Sequence, residues 1–215
     1  MRIVGINGSP RKNWNTATLI EKALDGARSQ GAETELVHLY DLNFIGCKSC
    51  FACKTLNGKN FGKCGVKDDI TPILDSIVEI DAVILGSPIY FGTATGKMRM
   101  FMERLLFPFL TYNTGNRVLY PKKIKTGLIY TMNLTESKIK NFGYEKYFSL
   151  AEYYMDMVFG SAETLLCTDT YQFKDYSKMA ASKFDPEHKA RRREEVFPVD
   201  CQKAYELGIR LTEND

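Results

Sequence analysis

The 215-residue chain is 44% hydrophobic, enough to bury a substantial core without disulfide staples, and its 29 basic and 26 acidic residues leave a formal charge of only +3. So even a balance lacks the one-sided basic excess of a nucleic-acid binder, and no nucleic-acid partner is expected. No apolar run is long enough to span a bilayer, and the residues after Met1 enter a strand pattern without an apolar leader and cleavage site. These features predict no membrane association, a cytoplasmic location and reduced cysteines.

Apolar runs alternate with amphipathic segments along the chain, the pattern of βα units wound around a parallel sheet. Strands are predicted at about 1–7, 33–39, 81–87, 125–132 and 162–171, and helices at about 15–30, 69–79, 95–107, 145–159 and 199–212. Ile3, Val4 and Ile6, and the run Ala82-Val83-Ile84-Leu85, read as strands buried on both faces, whereas Glu33–Leu39 suits a position nearer the edge. The expected fold is an α/β doubly wound five-stranded parallel sheet of order 2-1-3-4-5 in three α/β/α layers. One domain is expected over 1–215, with a cysteine-rich loop at about 44–67 and a charged C-terminal extension at about 172–198.

Directly after the first strand comes Asn7-Gly8-Ser9-Pro10-Arg11-Lys12-Asn13-Trp14-Asn15-Thr16-Ala17-Thr18, then a helical pattern. A turn of small and hydroxyl residues leading into a helix presents free N–H groups and a positive dipole end, which favour an anion. Ser9, Asn15, Thr16 and Thr18 can add side-chain donors and Arg11 a charge-assisted one. Neither G-x-G-x-x-G nor G-K-[ST] is present, so a terminal monophosphate fits better than a pyrophosphate or triphosphate. The plainer alternative is an ordinary helix capped by Asn15 or Thr16.

The third strand runs into Gly86-Ser87-Pro88-Ile89-Tyr90-Phe91-Gly92 before the chain turns helical. In the expected order, the first and third strands flank the switch point where ligands bind beyond the strands' carboxyl ends, so both loops face one crevice. Pro88 stiffens the strand exit, Gly92 permits close backbone approach, and Tyr90 or Phe91 offers a flat surface to a ring. Either aromatic can equally cap the core.

The segment after Gln172 is strongly charged, with Lys189 and Arg191-Arg192-Arg193-Glu194-Glu195, and reads as a solvated helix or arm in preference to an anion site. His38 and His188 stand apart from any recognisable nucleophile, which excludes a hydrolase of the Ser–His type.

Taken in order, Gly8-Ser9-Pro10-Arg11 with Asn15-Thr16, the cysteines 47, 50, 53 and 64 with Asp68-Asp69, Ser87–Gly92 and Met98–Arg104 resemble the NADPH-dependent FMN reductase and iron–sulfur flavoprotein families of flavodoxin-like fold, over about residues 1–135. The resemblance implies FMN, with phosphate contacts from Ser9, Arg11, Asn15, Thr16 and Thr18. It implies ring contacts from Pro88, Ile89, Tyr90, Phe91 and Gly92, and approach of the loop Thr131-Met132-Asn133. It also implies NAD(P)H as electron donor and a homodimer or homotetramer with the flavin near a subunit interface. Electrons would pass to a small-molecule acceptor or, in the alternative, singly to a protein partner. No catalytic side chain is expected, because the flavin carries the chemistry.

Cys47-x-x-Cys50-x-x-Cys53 can wrap three corners of a [4Fe–4S] cluster, with Cys64 as fourth ligand. The ten residues between Cys53 and Cys64 exceed the compact spacing of iron–sulfur flavoproteins. Zinc on the same four thiolates and metal-free thiols are the other two readings. Cys167 and Cys201 read as buried packing residues.

Overall fold

A computed structural model describes residues 1–115 and 117–213. Five parallel strands, β1 (Arg2–Asn7), β2 (Glu33–His38), β3 (Ala82–Tyr90), β5 (Ile124–Thr131) and β6 (Gly160–Cys167), stand in the order β2-β1-β3-β5-β6. That is the expected 2-1-3-4-5 order of the flavodoxin-like sheet. A sixth strand was not anticipated: β4 (Thr93–Ala94) pairs antiparallel with the end of β3, with Ile89 opposite Ala94 and Tyr90 opposite Thr93.

Alternation along the central strands divides the core. Ile3, Ala82, Ile84 and Ile129 pack with α1 (Asn15–Ser29) and α7 (Phe197–Arg210) on one face. Val4, Ile6, Val83, Leu85, Leu128 and Tyr130 turn to the other, against α3 (Gly96–Leu106) and α5 (Glu145–Phe159). Both faces are covered, which is why these strands read as continuous apolar runs. The short α2 (Thr71–Ser76) is confined by Pro72 at its start. A further short helix, α4 (Glu136–Phe142), ends at Gly143 in the left-handed region.

The C-terminal part departs most from expectation. The last strand is Gly160–Cys167, ending four residues earlier than the pattern suggested. Beyond it Asp169 adopts φ +53°, and the chain folds back over the exit of β5: Asp169 N–H donates to Leu134 O at 2.8 Å and Thr170 N–H to Met132 O at 3.0 Å. The charged segment then forms α6 (Pro186–Arg191), started by Asp185, whose carboxylate accepts from the Glu187 and His188 N–H groups. A π turn at Arg192–Val196 joins α6 to α7. This geometry carries Lys189 and Arg192 inward, 3% and 9% exposed, so the segment is not simply a solvated arm. No helix among the described residues is long and apolar enough to cross a membrane.

Candidate functional site

The two loops at the switch point are knitted together by hydrogen bonds. Gly8 N–H donates to Gly86 O at 2.8 Å, Thr95 Oγ1 donates to Gly8 O at 2.7 Å, and Thr95 N–H donates to Ser87 Oγ at 3.0 Å. Thr95 also begins α3, accepting from Met98 N–H. The loop after β1 is braced internally: Asn7 Oδ1 accepts from Ser9 N–H at 2.9 Å and Ser9 Oγ from Arg11 N–H at 3.1 Å. On the other side Asn7 Nδ2 is 2.9 Å from His38 Nδ1, which gives that histidine a structural partner.

Between the loops lies a crevice of about 130 Å³. Of the residues expected from sequence, Ser9, Arg11, Asn15, Thr16, Pro88, Ile89, Tyr90, Thr131 and Asn133 line it. Thr18, Phe91 and Gly92 do not. Thr18 stands in the first turn of α1, its N–H donating to Trp14 O. Phe91 and Gly92 form the two-residue turn between β3 and β4, with φ of +50° and +84°, the mirror-image turn that suits a hairpin's twist. The Phe91 ring is fully in solvent.

Trp14, Thr170 and Gln172 also line the crevice, and sequence reasoning missed all three as a group. The return of the chain over β5 brings Thr170 and Gln172 there, and no local pattern announces a contact across so long a stretch of sequence. Arg11 Nη1 donates to Gln172 O at 2.6 Å, while Trp14 Nε1 and Asn15 Nδ2 both donate to Tyr171 O, at 3.2 and 3.0 Å. The Arg11 guanidinium lies 3.9 Å above the Trp14 ring. Arg193 reaches Asn15 Oδ1 at 2.8 Å.

The capping expectation is decided by α1. Its N-cap position is Trp14, and no side chain caps it. Asn15 and Thr16 are turned to other work, Asn15 to Tyr171 and Arg193, Thr16 Oγ1 to Thr131 Oγ1 at 2.7 Å. Among the described residues no side chain thus accepts from the first N–H groups of this 15-residue helix beside the crevice, the arrangement that favours an anion. Burial and the neighbouring Tyr40 push the Tyr90 phenol above its ordinary pKa, against a smaller opposing effect of Arg11, so Tyr90 is a neutral ring wall at physiological pH.

The four cysteines of the long loop line a second, small cavity of about 20 Å³. Cys47 and Cys50 are exposed, Cys53 is buried and Cys64 partly so. Burial raises the Cys53 pKa, with Lys54 opposing and the Cys64 and Cys47 thiols adding to the rise. Arg104, its side chain fully buried, braces this region: Nε donates to Cys64 Sγ at 3.3 Å, Nη1 to Ile45 O at 3.0 Å and to the Asp68 carboxylate, and Nη2 to Val66 O at 3.0 Å. All four thiols share one cavity. Among the described residues, however, no three Cys, His, Asp or Glu groups are gathered closely enough to hold a metal ion. Cys167 is buried against Asp200 and Arg192, whereas Cys201 is only partly buried.

The family model for NADPH-dependent FMN reductase matches residues 1–124. An iron-sulfur flavoprotein of Methanocaldococcus jannaschii is 40% identical over 104 residues, 48% of this chain and 51% of that protein. One from Archaeoglobus fulgidus is 37% identical over 122 residues, 56% of this chain and 57% of the relative. The chain therefore spans about half the length of the curated relatives it matches. Among solved structures, the NAD(P)H:quinone oxidoreductase of Methanothermobacter marburgensis aligns with a TM-score of 0.72 at 13% identity, covering 100% of this chain and 98% of that one. An FMN-dependent NADH-azoreductase of Bacillus anthracis, solved in complex with FMN, gives a TM-score of 0.67 at 11% identity, covering 99% and 100%. At such identities the structural likeness is one of fold, and it is the match over more than half of the sequence that assigns the chain to the NADPH-dependent FMN reductase family.

Proposed function

We propose that the protein is an FMN-dependent oxidoreductase that accepts hydride from NAD(P)H and reduces a small acceptor. The observation that carries this reading is the N-terminus of α1, uncapped by any side chain, opening with Ser9 and Thr16 onto the crevice that Pro88, Ile89 and Tyr90 wall on the other side. Ser9, Arg11 and Thr16 would hold the phosphate, with Asn15 shaping the loop through Tyr171 and Arg193. Pro88–Tyr90 would face the ring, and Thr131 and Asn133 would form the opposite wall. Thr18, Phe91 and Gly92 act in this reading through the helical turn and hairpin that they build. When bound, FMN supplies the hydride-accepting centre, and the chain's residues bind it, orient it and exclude water.

The loop is tested by titrating FMN into the wild type and a Ser9→Ala/Thr16→Ala double variant. Two hydrogen bonds to a charged phosphate, at about 1.5 kcal/mol or more each, correspond to affinity weaker by roughly a hundredfold. An unchanged dissociation constant would remove these residues from the site.

A second reading has its own observation, the four thiols lining one cavity. If Cys47, Cys50, Cys53 and Cys64 close around a [4Fe–4S] cluster, the protein passes single electrons to a partner, and the matched relatives are named iron-sulfur flavoproteins. Iron and sulfide analysis on protein purified without oxygen separates the two: about four irons per chain favours the second reading, and none favours the first.

A further inference from the structure

The segment whose composition points to solvent delivers a buried lysine, paired with Asp169, to a place behind the crevice wall. Lys189, on α6, is 3% exposed. Its Nζ donates to Asp169 Oδ1 and to Asn133 Oδ1, while the other Asp169 oxygen is held by His188 Nε2 at 2.6 Å. Asp169 keeps its place because its own N–H is tied to Leu134 O at 2.8 Å, in the left-handed conformation at φ +53°.

An ammonium has donors only, so the oxygen of the Asn133 amide has to face it. Asn133 Nδ2 is thereby directed to Gln172 Oε1, to which it donates at 2.8 Å. The same exclusion leaves the Gln172 amide nitrogen as the end of the chain, and among the described residues no hydrogen bond involves Gln172 Nε2. Reversing either amide would set N–H groups against N–H groups. Asn133 and Gln172 both line the crevice. The result is a one-way series, Lys189 to Asn133 to Gln172, in which each member donates to the next and so polarises it.

We propose that Lys189 is a positioning residue that orients Asn133 and Gln172 so that the Gln172 amide donates to an acceptor atom of the bound flavin. This rests on the FMN reading above. Reduction adds electron density to the ring, so an oriented amide donor in a site of low dielectric stabilises the reduced flavin more than the oxidised one, while the Lys189 charge itself is balanced by Asp169. A purely structural Lys189 would affect both states alike.

The test compares the wild type with Lys189→Met, Gln172→Leu and Lys189→Arg. Each is titrated with oxidised FMN, and the potential of the bound flavin is then measured by equilibration against a dye. In Lys189→Met and Gln172→Leu, binding of reduced FMN should weaken about tenfold more than binding of oxidised FMN, a fall of about 30 mV for a two-electron couple. Lys189→Arg should retain most of the wild-type potential. Because removing Lys189 strands Asp169 and can unfold the chain, Gln172→Leu, at a half-buried position, carries the same test without that risk. FMN-loaded variants with the wild-type potential would overturn the relay alone. A wild type that binds no FMN would overturn the underlying reading and the relay with it.

Discussion

Asp169 is held from two sides behind the crevice wall, by Lys189 and by His188. Burial pushes its pKa up, but hydrogen bonds from Lys189 and His188, with the attraction of both groups, outweigh that and leave it below the ordinary value. A depressed folded-state pKa means that the pairing stabilises fully above the unfolded carboxylate value of about 3.9 and is lost as pH falls through the folded value. The stability gap between the wild type and Asp169→Asn, from urea unfolding, should therefore be wide at pH 5 and shrink below about pH 4. A gap of constant width across that range would show that the carboxylate charge contributes nothing. Residues of this kind were poorly legible in the sequence. Ser9, Arg11, Thr16 and Pro88–Tyr90 stand beside strand ends and declare themselves by type, whereas Thr170 and Gln172 enter the crevice wall, and Lys189 comes to lie behind Asn133, only through a fold-back that local pattern does not encode. The charge run around Lys189 was read by composition, which is blind to the inward turn that Asp185, Pro186 and the π turn impose.

At the scale of elements, α1 and α7 meet more closely than ordinary side chains allow. A Cβ on Gly208 would lie 1.7 Å from Ala23 O, and one on Gly26 1.9 Å from Tyr205 O. Helix propensity alone favours alanine over glycine by about 1 kcal/mol at an interior helical position. Overpacking of a fixed contact costs about 1–3 kcal/mol and here involves backbone, which cannot rotate away. A backbone contact at 1.7 Å lies at the upper end of that range and outweighs propensity, so Gly208→Ala is expected to lower the unfolding free energy by about 1–2 kcal/mol net and shift the urea midpoint accordingly. A stabilised variant would mean that the helices part at little cost. The existence of these two helices was readable from their apolar spacing, and so was α3. The short β4 was not, because two residues carry no periodicity, although Phe91-Gly92 marks the turn that makes it. The early end of β6 was also hidden, since Thr168 and Thr170 keep a strand-like composition after the sheet has ended.

For the whole molecule, the strand order follows from alternating βα units and places the loops after β1 and β3 on either side of one switch point. That topology makes the crevice legible in the sequence. The cysteine loop was legible only as a cluster: all four thiols reach one cavity, and the contact by which the buried Arg104 ties Cys64 to Asp68 follows from no spacing in the sequence, although Met98–Arg104 belongs to the same set of family motifs. A small crevice walled by the phosphate loop, the β3 exit and the C-terminal fold-back is the feature that unites the parts of the account. The most direct test is the absorption spectrum of protein purified without oxygen and then supplied with FMN and passed through a desalting column. Retained flavin bands in stoichiometric amount are the predicted result, and a colourless protein after FMN has been offered would contradict the claim that this crevice binds the cofactor.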